Sequence, residues 1–179
     1  MVRKKLKKFL NLPNILTLLR LTASPIIFYL IWIDRKNMAL FLFILAVLSD
    51  KADGYIARKR KQETAFGETI DPIADNTLIM LTAIALVIKN VVNPYFLKYA
   101  LIIFLIFIVS IVIYGIKLRK VRVPKLMIGK INIVALYILI IYIFLGLPVG
   151  KLFINIALIY SFIVSLKYLI YSIKVKKAS

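Results

Sequence analysis

The chain has 179 residues, 63 % of them hydrophobic, with a mean hydropathy of +0.95 and neither Cys nor His. This lies far above the roughly 45–50 % apolar content of a soluble domain and marks an integral membrane protein of one domain's length, read here as a single membrane domain over 1–179. The missing Cys and His exclude disulfides, thiolate and imidazole metal sites, cysteine nucleophiles and Ser-His-Asp arrangements, leaving acid–base chemistry to carboxylates, Lys or Tyr.

The formal net charge is +19, yet no nucleic-acid partner is expected. The cations cluster between apolar spans, where they set topology and meet anionic headgroups of membrane lipids. The same field favours phosphate-bearing substrates.

In chain order, residues 2–11 carry five cations with Leu6, Phe9 and Leu10 at helical spacing, which predicts a short amphipathic helix on the membrane surface. The next span holds Arg20 and Pro25 and lacks a small-residue cleavage site, so it does not read as a signal peptide. Six transmembrane helices are predicted, at about 14–33, 38–58, 70–89, 94–116, 127–147 and 150–172, each near the length needed to cross a bilayer. Between them stand Asp34-Arg35-Lys36-Asn37, the segment 59–69, Asn93-Pro94, the basic run 117–125 and Gly146 to Gly150, all rich in helix-breaking or charged residues.

With both termini in the cytoplasm, the cytoplasmic segments hold 18 cations and the outer segments five, as the positive-inside rule requires. That orientation puts the cytoplasmic ends of the second and third helices together. They carry four of the seven acidic residues, Asp50, Asp53, Asp71 and Asp75, and no acid follows Asp75. Carboxylates at membrane depth are costly and face a polar cavity when they occur, so the group is a functional-site candidate open to the cytosol.

Asp50, Asp53, Gly54 and Ala57 fall at i, i+3, i+4 and i+7 on one helix face, and Asp71 and Asp75 at i, i+4 on the next helix. Antiparallel neighbours would bring the two faces together. Four converging carboxylates repel one another unless cations compensate them, and Lys51 and Arg58 are too few. Oxygen-only ligands select hard divalent ions, Mg²⁺ first, with Mn²⁺ or Ca²⁺ possible. Two such ions would form a clamp suited to displacement at a phosphate. Gly54 and Gly67 would let a bulky ligand approach the backbone, and Arg58 suits bidentate phosphate binding. The competing readings are salt bridges, for which the facing positions lack cations, and an ion pathway; acids in transporters sit nearer mid-membrane among broken helices.

The pattern D-x-x-D-G-x-x-A-R-x8-G-x3-D-x3-D, met by Asp50, Asp53, Gly54, Ala57, Arg58, Gly67, Asp71 and Asp75, resembles the signature of the CDP-alcohol phosphatidyltransferases. Six helices with cytoplasmic termini and a basic surface helix are similar to that family over essentially the whole chain. The resemblance implies two Mg²⁺ or Mn²⁺ ions held by the four Asp, and Asp75 as general base. It also implies a CDP-linked lipid donor contacted by Asp50, Asp53, Gly54, Ala57, Arg58 and Gly67, a small alcohol acceptor, CMP release, a homodimer and a multi-pass location in the plasma membrane. Asn11-Leu12-Pro13-Asn14-Ile15-Leu16-Thr17-Leu18-Leu19-Arg20 resembles the opening of phosphatidylglycerophosphate synthases, as do Phe66-Gly67-Glu68 and Asp71-Pro72-Ile73-Ala74-Asp75.

Two departures bear on the acceptor: Asn76 replaces a common Lys, and Gly129-Lys130-Ile131-Asn132-Ile133 keeps only part of a Gly-Lys-x-Lys-Thr stretch. Glycerol 3-phosphate is the favoured acceptor, with inositol phosphate, serine or phosphatidylglycerol as alternatives within the family and an Asp-lined cation transporter as the alternative outside it. Lys130, with Arg122 and Lys125, forms the basic cluster assigned to an acceptor phosphate; a purely topological role accounts for Lys117, Arg119 and Lys120. Arg20, inside the first span, either faces the site with Asn14 and Thr17 or snorkels to the interface. Glu63 and Glu68 read as solvated loop charges, the Tyr and Phe residues as packing or lipid-facing, and Trp32 as part of an aromatic belt.

Overall fold

In hydrocarbon a backbone has no water to bond, so long Leu-, Ile- and Phe-rich runs close their own hydrogen bonds as helices. In a computed structural model describing residues 12–60, 67–118, 124 and 126–175, six do so: α1 Leu12–Trp32, α2 Lys36–Arg60, α3 Gly67–Ile88, α4 Pro94–Leu118, α5 Met127–Phe144 and α6 Lys151–Lys174. The side chains of 12–14, 50–60 and 67–69 are not part of that description, and the expected surface helix at 2–11 lies outside the described residues. The fold is all-α, as expected.

Five of the six helices are long and apolar enough throughout to cross a membrane; in α2 the apolar part ends at Ser49. The exception has a local cause. The last turns of α2 carry Asp50, Asp53 and Arg58, and its 25 residues still extend about 37 Å at 1.5 Å per residue.

The boundaries move by a few residues from those expected. The third helix begins at Gly67, and the fifth stops at Phe144 because Gly146 turns left-handed, φ +67°. Asp34 (φ 59°) and Asn90 (φ 55°) adopt the same conformation after α1 and α3. Asp and Asn tolerate it better than other side chains, and Gly without strain. Each turn carries the paired bonds of a Schellman cap: Arg35 N–H to Leu30 O at 2.8 Å, Val91 N–H to Leu86 O at 2.9 Å and Leu147 N–H to Tyr142 O at 3.3 Å. At this end Lys89 also pairs with Asp34 at 2.6 Å, tying α3 to α1.

The helices form two packed groups. α1 packs extensively on both α2 and α3, α4 packs on α6, and α5 touches α2, α3 and α6. The first core joins Ile27, Ile31, Phe43, Leu78 and Leu86 with Tyr137 and Ile140 of α5. The second joins Phe107 and Ile111 to Val164 and Tyr168. Lipid tails are as apolar as Leu, so helices associate through close fit and small residues. Ser24, Ala39, Ala46, Ala74 and Ala85 are buried in the first group, and Ser110, Ser161, Ser165 and Ser172 in the second. At the α5–α6 crossing, a Cβ on Gly129 would run into the Tyr168 hydroxyl and come within 2.9 Å of its ring carbons, so any larger residue would force that ring to shift. The outward faces of the helices expose large apolar side chains, as contact with lipid requires; Trp32, 53 % exposed, lies at the end of α1 as an interfacial belt residue would.

Candidate active site

The acidic end of the bundle is where α2 finishes and α3 begins. On α3, Asp71 and Asp75 lie one turn apart on the stripe that faces α1. Thr17 Oγ1 donates to Asp71 Oδ1. One turn further along α1, Arg20 Nη1 reaches Asp75 Oδ1 at 2.7 Å, and the guanidinium Nε lies 3.4 Å from Ala46 O of α2. A second donor, the Tyr137 hydroxyl of α5, meets the same Asp75 oxygen at 2.7 Å. Three helices therefore converge on one carboxylate oxygen.

This network is buried. Arg20 is 1 % exposed, Thr17 2 %, Tyr137 4 % and Asp75 7 %. Burying either charge alone would be expensive, and the pair is tolerated because each is matched and hydrogen-bonded. Of the two placements considered for Arg20, the interior one holds: it faces the site together with Thr17. The Asn14 side chain is not described.

That pairing also corrects the sequence reading. The salt-bridge reading, set aside because the facing positions lack cations, holds for Asp75: its cation comes from α1, which packs on both α2 and α3. Tyr137 was not anticipated, having been grouped with the packing aromatics. Its signal was a hydroxyl in a near-continuous apolar run, which needs a partner when buried.

Asp50, Asp53, Gly54, Ala57 and Arg58 lie on the last turns of α2, and Gly67 is the first residue of α3. Their side chains, and Arg122 and Lys125 altogether, are outside the described residues. Among the described residues no group of three or more acidic side chains surrounds a common point. The donor chemistry nevertheless suits a hard divalent ion: Asp71 and Asp75 offer carboxylate oxygen, with no nitrogen or sulfur ligand nearby in sequence. Each has one oxygen anchored by a protein donor, which is how supporting hydrogen bonds orient ligating carboxylates.

Beside the acidic stripe, Pro72, Asn76, Ile79 and Ala83 line a partly open cavity of about 150 Å³ between α3, α4, α5 and α6. Its walls are hydrocarbon along most of its length. The polar groups gather at the Asp75 end, where Asn76 bonds Pro72 O at 2.7 Å and Asn132 accepts from Ser161 at 2.8 Å. Lys130 is exposed and precedes Tyr137 by seven residues, two helical turns, on nearly the same stripe of α5.

A family model described as CDP-alcohol phosphatidyltransferase matches residues 10–166. The chain belongs to that family. The CDP-diacylglycerol–glycerol-3-phosphate 3-phosphatidyltransferase of Cereibacter sphaeroides is 42 % identical over 101 residues, 52 % of this chain and 45 % of the relative. The protein of the same name from Rickettsia prowazekii is 42 % identical over 86 residues, 46 % of this chain and 48 % of the relative. The cardiolipin synthase (CMP-forming) of Rattus norvegicus is 39 % identical over 93 residues, 51 % of this chain and 30 % of the relative. The chain spans about half the length of the bacterial relatives it matches. Proteins of this phosphatidyltransferase family work with a divalent metal, and the buried Asp75 lies within the residues that the family model matches.

Proposed function

We propose that the chain transfers a phosphatidyl-type group from a CDP-linked lipid to glycerol 3-phosphate and releases CMP. The observation that carries this reading is Asp75, a buried carboxylate fixed by Arg20 and Tyr137, one turn from Asp71 and beside a hydrocarbon-walled cavity with a polar end. The names of the bacterial relatives support the acceptor.

In the proposed reaction Asp75 accepts the proton of the acceptor hydroxyl. The freed oxygen attacks the lipid-side phosphorus, and the P–O bond to CMP breaks. A carboxylate can serve as base when the acceptor is held in line and charge on the transferring group is stabilised. Asp50, Asp53, Asp71 and Asp75 would hold two divalent ions, Mg²⁺ or Mn²⁺, which when bound supply positive charge to the phosphoryl oxygens. Gly54, Ala57 and Gly67 would contact the CDP moiety, with Arg58 as a bidentate phosphate ligand. The cavity suits a lipid chain, its walls being hydrocarbon. The excess of cations on one side supports cytoplasmic termini and a site open to the cytosol, and a homodimer in the plasma membrane completes the proposal.

Lys130, with Arg122 and Lys125, is proposed to bind the acceptor phosphate. Its exposure and its place about 10 Å along α5 from Tyr137 support this. Lys130→Ala is expected to raise the KM for glycerol 3-phosphate about tenfold or more, the worth of a charge-assisted bond, with the KM for CDP-lipid little changed. Steady-state kinetics in detergent would measure both, and two unchanged constants would remove Lys130 from the acceptor site.

The experiment that tests the function is CMP release from CDP-diacylglycerol and Mg²⁺ with one acceptor at a time: glycerol 3-phosphate, inositol phosphate, inositol, serine and phosphatidylglycerol. Release with glycerol 3-phosphate is expected. Release with phosphatidylglycerol instead would favour the cardiolipin-forming reading that the rat relative supports. Ion flux without CMP would favour a transporter. EDTA is expected to silence turnover and added Mg²⁺ or Mn²⁺ to restore it; activity surviving chelation would overturn the metal assignment.

A further inference from the structure

Tyr137 occupies a place where its ring and its hydroxyl answer to different demands. The ring is set in the first core, edge-on to Phe43 with centroids 5.8 Å apart and beside Ile140. A phenylalanine would satisfy that packing equally well. The hydroxyl is a liability among such neighbours unless it is bonded, since an unpaired buried hydroxyl costs free energy that apolar packing does not return. Its bond goes to Asp75 Oδ1, the atom that also receives Arg20.

Two donors on one oxygen do what one cannot. The terminal torsion of an Asp side chain is broad rather than sharply staggered, so each added bond narrows the swing of the carboxyl plane. Donors from α1 and α5, both rooted on packed helices, confine that swing from two directions of approach. Each of the donors is itself constrained: Arg20 by its further contact with Ala46 O, Tyr137 by the Phe43 ring.

Resting on the transfer reaction proposed above, we propose that Tyr137 is a positioning residue: its hydroxyl holds the Asp75 carboxyl in the orientation in which it takes the acceptor proton, and so links α5, the helix bearing Lys130, to the reacting end of α3. Partners that orient a functional carboxylate are worth about 10–100-fold in activity or metal affinity when removed.

The test is Tyr137→Phe in the full chain, purified in detergent beside the wild type. The expected result is a fall in kcat of about tenfold or more, with KM for CDP-diacylglycerol and glycerol 3-phosphate within about twofold and with an unchanged thermal midpoint. Mn²⁺ titration followed by electron paramagnetic resonance is expected to show weaker binding by the variant. Tyr137→Leu, which also removes the ring, should lose thermal stability as well. An unchanged kcat and unchanged Mn²⁺ binding in Tyr137→Phe would overturn the proposal, as would a loss of kcat that merely tracks a loss of thermal stability. The two readings fail separately. A wild-type protein that releases no CMP would retire the transfer reaction, while Mn²⁺ binding by the pair of proteins would still decide whether Tyr137 orients Asp75.

Discussion

Asp75→Asn is expected to lower kcat for CMP release by about 10²–10⁴-fold, the usual worth of a general base. The substitution is nearly isosteric, and an amide oxygen can still accept from Arg20 and Tyr137 as Oδ1 does in the native chain. What disappears is the capacity to take a proton, together with one negative charge. Binding of CDP-lipid, assigned mainly to the end of α2, should change much less than turnover. Near-normal CMP release by the variant would remove Asp75 from the role of base, whatever the fate of the other acids.

The second large effect is on folding. Arg20→Ala is expected to destabilise the protein by about 3–5 kcal/mol, the penalty for leaving one member of a buried ion pair without its partner. Arg20 is 1 % exposed and Asp75 7 %, so water cannot readily replace the guanidinium. The double variant Arg20→Ala with Asp75→Asn should recover most of the loss, because a neutral amide does not demand a counter-charge. Thermal unfolding in detergent of the four proteins measures the coupling. Strictly additive losses would mean that the ion pair contributes nothing of its own and that Arg20 matters only through its packing.

These two residues show what the sequence could and could not convey. The helices were legible because hydrocarbon imposes one backbone solution and a fixed length, and their ends because Asp34, Asn90 and Gly146 tolerate the left-handed turn that stops them. The acids on α3 were legible because helical periodicity puts Asp71 and Asp75 on one face. The partner of Asp75 was not. Periodicity describes a face within one helix, whereas Arg20 stands 55 residues away along the chain, and only the packing of α1 against α3 brings the two charges together. Tyr137 was hidden for a similar reason. Tyr29 and Tyr142 sit in comparably apolar runs and are exposed, so residue type alone does not separate a tyrosine that meets lipid from one that meets a carboxylate.

Arg20, Asp75 and Tyr137 also explain how a site can be stable at a membrane boundary before any substrate arrives. Removing Arg20 or Asp75 leaves a buried charge or hydroxyl without its counterpart, whereas removing only the Tyr137 hydroxyl leaves Asp75 paired with Arg20. The cost of unpaired buried polar groups holds the three together. The same cost accounts for the apolar walls of the cavity beside them, where polar groups occur only at the end that meets Asn76 and Asn132.

The most direct test of the account is CMP release by the detergent-purified chain given CDP-diacylglycerol, glycerol 3-phosphate and Mg²⁺, run with the wild type and Asp75→Asn side by side. Release by the wild type and its near-abolition in the variant is the predicted result. Equal release by both proteins, or none by the wild type, would contradict it.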